Sequence, residues 1–280
     1  MTRIAIITGA ASGIGAGLAR ALADKGVTLV LGDIDGLGVE LLAEELNAQG
    51  RASVRGVHLD VRDAAAVQRV VADTVAEHGR LDMMFNNAGI GVGGDALELT
   101  VTHWDRCIDV NLRGVIHGVH AALPYMVDQG EGYIINTASL AGLIPSPFLA
   151  PYAATKHAVV GMTLALRTEF EGRGVHFIAL CPGFTDTPIL DKPNPSDLPE
   201  VKSDQPIRGM AAQMPGGIHD LDTLVEEIVR TVEKNEPILV TPASARASWR
   251  SFRTSPGLVV KLIGKMADRQ RQALTGTAGD

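Results

Sequence analysis

Short apolar runs rich in Val, Ile and Leu alternate with longer helical segments along most of the chain, and this alternation restricts the fold more than any other feature. A helix follows each run before the next run begins, so the strands should be parallel and joined by right-handed crossovers. The sequence therefore predicts an α/β fold, a doubly wound, seven-stranded parallel sheet with helices on both faces. The predicted strands cover residues 3–8, 27–33, 53–60, 81–86, 133–137, 175–181 and 237–240.

Composition supports one substantial core and narrows the class of protein. Of the 280 residues, 46% are hydrophobic but only 4% are aromatic, so the core must consist mostly of Ala, Val, Leu and Ile. Because no linker-like stretch and no internal repeat divides the chain, residues 1–280 are predicted to form one domain. The net charge of −7 argues against a protein that binds nucleic acid.

Cysteine content and hydropathy indicate the cellular compartment. The two cysteines, Cys107 and Cys181, are too few for a disulfide framework, which favours a reducing compartment. No signal peptide is evident, and no apolar run reaches the ~18 residues that a membrane-spanning helix needs. We therefore expect a cytoplasmic protein.

A glycine-rich turn, TGAASGIG at residues 8–15, joins the first strand to the first helix. Glycines let the backbone approach a pyrophosphate, and the N-terminus of the helix offers unpaired N–H groups with partial positive charge. A tight turn without a ligand is the alternative reading, but the position between a strand and a helix favours a Rossmann-like dinucleotide site. The candidate contacts in this turn are Gly9, Ser12, Gly13, Ile14 and Gly15.

Asp33 ends the second predicted strand, 18 residues beyond Gly15. A carboxylate at this position can accept a hydrogen bond from a ribose hydroxyl of the adenosine, and it would repel a 2′-phosphate. Ser12 and Ile34 are uncharged, although an NADP site would need a cation nearby. The sequence therefore predicts NAD as the cofactor, while a capping role in the turn is the alternative for Asp33.

Residues 132–156 bring together a second group of polar side chains. Ser139 follows the fifth strand, and a proline-containing loop leads into a helix that begins near Tyr152. Tyr152 and Lys156 are four residues apart, so they share one face of that helix. The pattern places one hydroxyl opposite a phenol and an ammonium group.

This trio can move a proton at neutral pH. A free phenol titrates near pH ~10, and lowering its pKa to about 7 requires ~4 kcal/mol. A neighbouring ammonium favours the phenolate, and an oxidised nicotinamide would add to its effect. We expect Lys156 to lower the pKa of Tyr152 and Ser139 to hold the substrate oxygen beside the phenol.

In their order and spacing, these motifs resemble the classical short-chain dehydrogenase/reductase family over about residues 3–188 and the seventh strand. The glycine spacing differs from that of the family's extended branch of epimerases and dehydratases. The motifs are T-G-x-x-x-G-x-G at residues 8–15, N-N-A-G at residues 86–89, D-V-N at residues 109–111, Ser139 thirteen residues before Tyr152, Y-x-x-x-K at residues 152–156, and P-G at residues 182–183 followed by Thr187.

The resemblance implies a role for each matching catalytic residue. Tyr152 would be the acid/base, and Ser139 would orient the substrate oxygen. Lys156 would lower the pKa of the phenol and bind the nicotinamide ribose. Asn111 would hold a water molecule that links Lys156 to solvent, although a helix cap or kink is the alternative for Asn111. A homodimer or homotetramer is also implied.

The resemblance also implies the remaining cofactor contacts. Asp60 and Val61 would contact the adenine, and Asn87, Ala88 and Gly89 would lie on the side of the adenosine ribose. Pro182, Gly183, Thr185 and Thr187 would face the nicotinamide, its carboxamide and the phosphates; the family often has Val or Ile where Thr185 stands. A plain turn at residues 182–183 and a structural role for residues 86–89 are the alternatives.

Two histidines, His117 and His120, are spaced for one face of a helix. No third ligand accompanies them, so we predict no metal site and assign both residues to the core or to an interface.

Residues 188–217 form a proline-rich segment where the family carries its substrate lid. Long irregular loops in compact domains are usually functional. With apolar residues of the loop after strand five, this segment predicts an apolar alcohol or ketone as substrate, although such lids are commonly apolar whatever the substrate. The apolar residues are Ile189, Leu190, Leu198, Ile207, Met210 and Met214 in the lid, and Leu140, Leu143, Ile144, Phe148 and Leu149 in the loop.

Residues 241–280 form a basic extension with seven Lys or Arg and two Asp, a charge of +5 on an otherwise acidic chain. Leu258, Val259, Leu262, Ile263 and Met266 form an apolar stripe at helical spacing. Packing on a neighbouring subunit is the favoured reading of this amphipathic extension. Covering of the site and contact with an anionic membrane surface are its alternatives.

We therefore predict an NAD-dependent oxidoreductase that interconverts a secondary alcohol and a ketone by hydride transfer. A non-catalytic NAD(H)-binding scaffold or sensor is one alternative. An NADP-dependent ketoreductase of the 3-oxoacyl type is the other. The scaffold would have no need of all four residues Asn111, Ser139, Tyr152 and Lys156.

Overall fold

The computed structural model describes residues 3–203, 207–214 and 216–274. Its centre is a parallel sheet of seven strands in the order β3-β2-β1-β4-β5-β6-β7, which confirms the predicted doubly wound fold. The order reverses between β1 and β4, where ligands bind in open α/β sheets. The strands are β1 (Ile4–Thr8), β2 (Thr28–Asp33), β3 (Val54–His58), β4 (Met83–Asn86), β5 (Gly132–Thr137), β6 (Val175–Pro182) and β7 (Ile238–Thr241).

Ten α-helices connect and cover these strands in the described part of the chain. Helices α1, α2 and α8 contribute to a core on one face of the sheet, and α3, α5 and α6 contribute to the core on the other face. The helices are α1 (Gly13–Asp24), α2 (Gly36–Ala48), α3 (Ala64–His78), α4 (Val101–Ile108), α5 (Gly114–Gln129), α6 (Ala150–Phe170), α7 (Arg208–Gln213), α8 (Leu221–Glu233), α9 (Ala243–Thr254) and α10 (Pro256–Leu274).

The strand register brings the carboxyl ends of the central strands together. Thr8 pairs with Gly32 across β1 and β2, and Asn86 pairs with Asn136 across β4 and β5. Each predicted strand is present within about two residues of its predicted bounds, because buried β-branched runs form strands that are covered on both faces. All the motifs that follow these strands therefore lie along one edge of the sheet.

The connection between α4 and α5 differs from the one that the sequence predicts. The sequence predicts two helices, over residues 102–111 and 112–128. The structure joins α4 to α5 through a π-helical turn, Asp109–Arg113. One extra residue per turn keeps the backbone helical through the junction, and α5 begins directly afterwards at Gly114.

The lid segment contains more regular structure than its prolines indicate. It includes a short 3-10 turn, Pro188–Leu190, as well as α7. Residues 204–206 and 215 and the side chain of Met210, which belong to the predicted lid, lie outside the described residues, as do residues 275–280 of the extension. No helix in the described ranges combines the length and hydropathy required to cross a membrane.

Candidate active site

The glycine-rich turn is folded tightly against the start of α1. Gly9 has a φ of +66°, and a Cβ built on Gly15 would lie 2.1 Å from the carbonyl oxygen of Gly9. No side chain larger than hydrogen fits at Gly15, because two backbone segments meet there. Ser12 is the exposed N-cap of α1, and Ile14 packs on the core beneath it. The turn therefore exposes backbone N–H groups at the N-terminus of a helix, as a pyrophosphate site requires.

The end of β4 holds this turn in place. The Asn87 side-chain amide donates to the carbonyl oxygens of Thr8 and Gly9 at 3.1 and 3.2 Å. The backbone N–H groups of Asn87 and Ala88 donate to the Thr8 hydroxyl at 3.0 and 3.1 Å. Asn87 and Ala88 therefore stabilise the turn. The sequence analysis did not predict this role of the Thr8 hydroxyl as an acceptor.

Asp33 lies at the same edge of the sheet and is partly exposed. Its carboxylate accepts from the backbone N–H of Ala11 at 3.0 Å and from the backbone N–H of Asp35 at 3.0 Å. One hydrogen bond to each oxygen leaves further acceptor capacity on both. Asp33 thus caps backbone N–H groups of the turn, and its oxygens can accept a further hydrogen bond, such as one from a ribose hydroxyl.

Asp60 and Val61 follow β3, and the structure gives both of them protein partners. Arg62 forms a bidentate ion pair with the carboxylate of Asp60, with contacts of 2.5 to 2.9 Å, and it holds the pKa of that carboxyl below its usual value. The Val61 carbonyl lies 2.9 Å from Nδ1 of His117. The Asp60 side chain must share its oxygens with Arg62 if it contacts an adenine. His117 has a structural partner, and His120 is exposed.

Ser139, Tyr152 and Lys156 converge beyond the end of β5. The side chain of Ser139 faces the Tyr152 hydroxyl and favours its phenolate, and Nζ of Lys156 lies 5.5 Å from the centre of the Tyr152 ring. Lys156 is buried and donates to the carbonyl oxygen of Thr137 at 2.7 Å. The Thr137 carbonyl was not predicted, because a main-chain acceptor has no sequence signature.

Burial moves the pKa values of this pair in directions that oppose ionisation. It raises the pKa of Tyr152 to about 12, against the smaller opposite effect of the Ser139 side chain. It lowers the pKa of Lys156 to about 8. The expectation that Lys156 brings down the pKa of the phenol is therefore not met in the protein alone. A further positive charge beside the ring is needed to form the phenolate at neutral pH.

Asn111 lies in the π-helical turn and is completely buried. Its side chain pairs at two points with the backbone of Ile90, accepting from the N–H and donating to the carbonyl, each at 2.9 Å. Its oxygen and Nζ of Lys156 both face Gly89, at 3.2 and 3.5 Å from a Cβ built there. The structure thus brings Asn111, Gly89 and Lys156 together.

Cys107 is a buried neighbour of this group that the sequence did not single out. Its sulfur accepts from the Asn111 amide at 3.3 Å and lies 3.8 Å from the Thr155 hydroxyl. Thr155 in turn donates to the carbonyl oxygen of Tyr152 at 2.7 Å. Cys107 therefore connects the π-helical turn to the helix that carries Tyr152 and Lys156. The only signal in the sequence is its position four residues before Asn111.

The segment after β6 lies against the glycine turn. A Cβ built on Gly13 would be 3.3 Å from the side chain of Thr187, so Thr187 stands beside the N-terminus of α1. Gly183 donates its N–H to the carbonyl of Thr241 at 2.7 Å, and Pro182 ends β6. Thr185 forms a bridge to His219 and is buried. Of these four predicted contacts, Thr187 has the clearest position for a phosphate or carboxamide.

The lid is fastened to the segment that follows β4. Asn194 pairs with both backbone groups of Gly93, at 2.9 and 2.8 Å. Asp197 forms an ion pair with Arg106, and the carbonyl of Pro199 lies 3.0 Å from Nε2 of the buried His103. These polar contacts were not predicted, because they join residues about one hundred positions apart.

An apolar cluster lies beside the Tyr152 ring. Cys107, Val92 and Leu198 form its buried part, with Ile90, Leu99 and Tyr152 packed against them. Leu190 is also buried, while Ile189 and the loop residues Leu143, Ile144, Phe148 and Leu149 are half-buried. The surroundings of the phenol are therefore mostly apolar, as the lid sequence predicts.

A cavity of about 610 Å³ lies elsewhere, at the amino ends of the strands, and is lined by Leu22, Met83 and Phe85 among others. Tyr152 lies beyond the carboxyl ends of the strands, so the length of β4 separates it from this cavity. The chemistry-bearing side chains therefore do not line this cavity.

The assembled edge of the sheet can bind a dinucleotide and move one proton. Backbone N–H groups of the glycine turn lie at the N-terminus of α1, and carboxylates lie at the end of β2 (Asp33) and just beyond the end of β3 (Asp60). A hydroxyl, a phenol and an ammonium group meet at the other side, next to apolar side chains. Hydride transfer to or from a nicotinamide, coupled to proton transfer, matches this set of groups.

Comparisons with known proteins agree with this geometry. A family model described as short chain dehydrogenase matches residues 3–197. Oxidoreductase UcpA of Salmonella typhimurium is 37% identical over 218 residues, covering 75% of this chain and 82% of that protein. The 3-oxoacyl-[acyl-carrier-protein] reductase FabG of Thermotoga maritima is 37% identical over 191 residues, covering 68% and 77%. The crystal structure of a short chain dehydrogenase/reductase from Burkholderia phymatum in complex with NAD superposes with a TM-score of 0.83 at 31% identity, covering 92% and 95%.

Proposed function

The chain belongs to the short-chain dehydrogenase/reductase family, and on that premise we propose that it is an NAD-dependent oxidoreductase that interconverts a secondary alcohol and a ketone. Its relatives are named oxidoreductases and reductases, so it is an enzyme that acts on a CH–OH group or a ketone with a nicotinamide cofactor. To this we add NAD as the particular cofactor, an apolar substrate, and a role for each residue of the site.

The residues at the edge of the sheet fit the cofactor. Gly9, Gly13 and Gly15 let the backbone of the turn approach a pyrophosphate, and a Cβ at Gly15 would disrupt the turn because it would overlap the Gly9 carbonyl. Asp33 keeps acceptor capacity for the ribose and would repel a 2′-phosphate. Ile34, next along the chain, is exposed and uncharged. We therefore favour NAD over NADP, in line with the NAD bound by the Burkholderia phymatum protein.

Tyr152 exchanges the proton of the substrate hydroxyl, and Ser139 holds the substrate oxygen next to the phenol. The convergence of Ser139, Tyr152 and Lys156 beyond the end of β5 carries this assignment, because it places two hydroxyls beside an ammonium group. When bound, the nicotinamide ring accepts or supplies the hydride and, in its oxidised form, contributes positive charge. That positive charge would lower the pKa of Tyr152, which burial has raised.

Lys156 and Asn111 complete the proton path. The pKa of Lys156, lowered to about 8, allows the ammonium group to give up a proton near neutral pH. Asn111 is held by Ile90 and Cys107, and with Gly89 it borders the Lys156 ammonium. We assign Lys156 the roles of ribose contact and proton relay, and we assign Asn111 the role of holding the water that links Lys156 to solvent.

The substrate class follows from the apolar cluster beside Tyr152. Val92 and Leu198 are buried there, and Ile90 and Leu99 are half-buried. A polar polyol would leave hydroxyls unpaired against these side chains, at a cost of about 1–3 kcal/mol for each. We therefore favour apolar secondary alcohols and ketones.

A Tyr152→Phe variant tests the acid/base assignment. It should bind NADH as the wild type does, because it keeps the ring and loses only the hydroxyl. Its turnover should fall by about 10²–10⁴-fold, the usual contribution of general acid–base catalysis. Tyr125→Phe, on α5, is the matched control and should keep both properties. Turnover by Tyr152→Phe at the wild-type rate would contradict the assignment.

A ketoreductase of the 3-oxoacyl type is the second candidate, favoured by the similarity to FabG of Thermotoga maritima. An absorbance screen of NAD, NADP and their reduced forms decides between the two. It should cover secondary alcohols graded from polyols to steroids, together with a 3-oxoacyl thioester. Turnover with NAD on apolar alcohols supports our proposal, and turnover only with NADPH and the thioester supports the ketoreductase. Tight NADH binding without any turnover would instead support a scaffold or sensor.

We further propose that the enzyme is a cytoplasmic homo-oligomer, on the strength of the family resemblance described above. Multi-angle light scattering of the purified protein measures the number of subunits directly. A mass of 29.5 kDa, that of a single chain, at working concentration would contradict the homo-oligomer.

A further inference from the structure

The C-terminal helix α10 packs along one face on its own chain. Val259, Ile263 and Ala267 are half-buried, and their spacing of four residues places them on one stripe of the helix. At its start α10 also contacts α9. Arg271 lies one turn beyond Ala267 on this stripe.

Arg271 contacts two loops of the candidate site. Its Nε donates to Oδ2 of Asp95 at 2.9 Å, and its guanidinium lies 5.5 Å from the centre of the Phe148 ring. Asp95 belongs to the loop between β4 and α4, and Phe148 to the loop between β5 and α6. One side chain of the C-terminal helix thus joins two loops that are otherwise separate in sequence.

Both loops border the Tyr152 phenol. Ile90 and Leu99, on either side of Asp95 in the sequence, belong to the apolar cluster in which Tyr152 packs. Phe148 lies two residues before α6, whose first turn contains Tyr152. The backbone N–H of Gly94 donates to the carbonyl of Phe148 at 2.8 Å, so the two loops are joined directly beneath Arg271.

The backbone of Phe148 is held in an unfavourable conformation at this junction. Its φ is +61°, in the left-handed region that aromatic side chains rarely adopt. Such strain persists where surrounding contacts impose it, and it is concentrated at functional sites. The hydrogen bond from Gly94 and the guanidinium of Arg271 are the contacts that surround Phe148 here.

The lid is joined to the same point. The backbone N–H of Asp95 donates to the Ser203 hydroxyl at 2.6 Å, and that hydroxyl contacts the carboxylate of Glu98 at 3.0 Å. Arg271 therefore stands where the lid, the two loops and α10 meet.

We propose that α10 forms the outer wall of the substrate site. Arg271 fixes this wall through its contacts with Asp95 and Phe148, and it thereby limits the size of the alcohol or ketone that the site admits. This inference rests on the proposed function, since it assigns the substrate to the same site. Arg271 is a specificity-determining residue here and takes no part in proton transfer.

The cofactor side should be independent of this wall. The glycine turn and Asp33 lie at β1 and β2, and their contacts run to Thr8, Ala11 and Asn87 rather than to α10. Loss of Arg271 should therefore open the nicotinamide end of the site to solvent without changing the affinity for NADH.

The test compares Arg271→Ala with Arg269→Ala, an exposed basic residue of the same helix for which the described residues show no ion pair. Acrylamide quenching of the fluorescence of bound NADH reports solvent access without turnover. Arg271→Ala should increase the quenching constant by about twofold or more, and Arg269→Ala should leave it unchanged. Loss of an exposed ion pair and a cation–π contact should also shift the ratio of KM values for small and bulky alcohols by about fivefold.

Asp95→Asn keeps the shape of the loop and removes its charge, so it should reproduce the effect of Arg271→Ala. The double variant should be no more open than either single one, because both remove the same contact. If Arg271→Ala matches the wild type in quenching and in the KM ratio while turnover persists, α10 is not the wall, and the proposed function stands. If the wild type binds no NADH, the proposed function fails, and this inference fails with it.

Discussion

Replacement of Lys156 by methionine should make the protein more stable at neutral pH while it destroys activity. Lys156 is 3% exposed, and burial lowers its pKa from 10.5 to about 8. At about 1.4 kcal/mol per pKa unit, the native state carries a cost of about 3 kcal/mol for holding the charged group. Methionine has a similar length and no charge, so it removes this cost.

The variant also loses a hydrogen bond. Nζ of Lys156 donates to the carbonyl oxygen of Thr137 at 2.7 Å, and methionine leaves that buried acceptor without this partner. The loss costs about 1–3 kcal/mol. The expected balance at pH 7 is a gain in stability of about 1 kcal/mol. Turnover should fall by about 100-fold or more, because the proton relay is gone.

The pH dependence separates this explanation from a packing effect. The unfolded lysine titrates at 10.5 and the native one at about 8, so below pH 8 both are charged and the native state bears the full cost. As the pH rises from 8 to 10.5, the native lysine loses its proton first and the cost disappears. Wild-type stability therefore rises through this window relative to Lys156→Met. Between pH 7 and pH 9.5 the difference in stability should shift by about 2 kcal/mol in favour of the wild type, so that Lys156→Met becomes the less stable protein at pH 9.5.

Urea unfolding followed by tryptophan fluorescence measures both free energies. Lys261→Met, an exposed lysine of α10, is the control and should change stability by no more than about 0.5 kcal/mol at either pH. A difference between wild type and Lys156→Met that is the same at pH 7 and pH 9.5 would refute the reasoning.

Two further predictions concern the cofactor side of the site. Gly15→Ala should reduce NADH affinity by about 10-fold or more, because its Cβ would overlap the Gly9 carbonyl. Gly161→Ala in α6 places its Cβ within 4 Å of no atom and should stabilise the protein by about 0.5–1 kcal/mol. Equilibrium binding of NADH and thermal unfolding of both variants check these expectations. Asp33→Ala should lower the preference for NAD over NADP, measured as the ratio of kcat/KM values, and Asp35→Ala, which removes only the N-cap of α2, should leave that ratio unchanged. An unchanged ratio in Asp33→Ala would remove the basis for assigning NAD.

The fold and the cofactor turn were predictable because local patterns encode them. Apolar β-branched runs specify the strands, and glycines at residues 9, 13 and 15 specify a close backbone approach before α1. Each of these signals lies within a few residues of the structure that it predicts. The confirmed order of seven parallel strands follows from them with the rule of right-handed crossovers.

Features that depend on burial or on distant contacts were not predictable in the same way. The pKa of Tyr152 was expected to fall beside Lys156, but burial raises it to about 12, and the extent of burial is set by the whole fold. Arg62 pairs with both oxygens of Asp60, a contact that the sequence analysis did not include. The partner was visible two residues away, but the sequence does not show which way its side chain turns.

The two halves of the site are therefore built by different means, and this has a consequence for how the enzyme can vary. The cofactor half depends on a close approach of two backbone segments at Gly9 and Gly15, which leaves no room for a side chain at Gly15 and tolerates few substitutions. The substrate half is fastened largely through side chains from distant segments: Asn194 on Gly93, and Arg271 on Asp95. Because such side chains can be exchanged without disturbing the sheet or the turn, changes in substrate should map to the lid and α10 while the cofactor half stays the same.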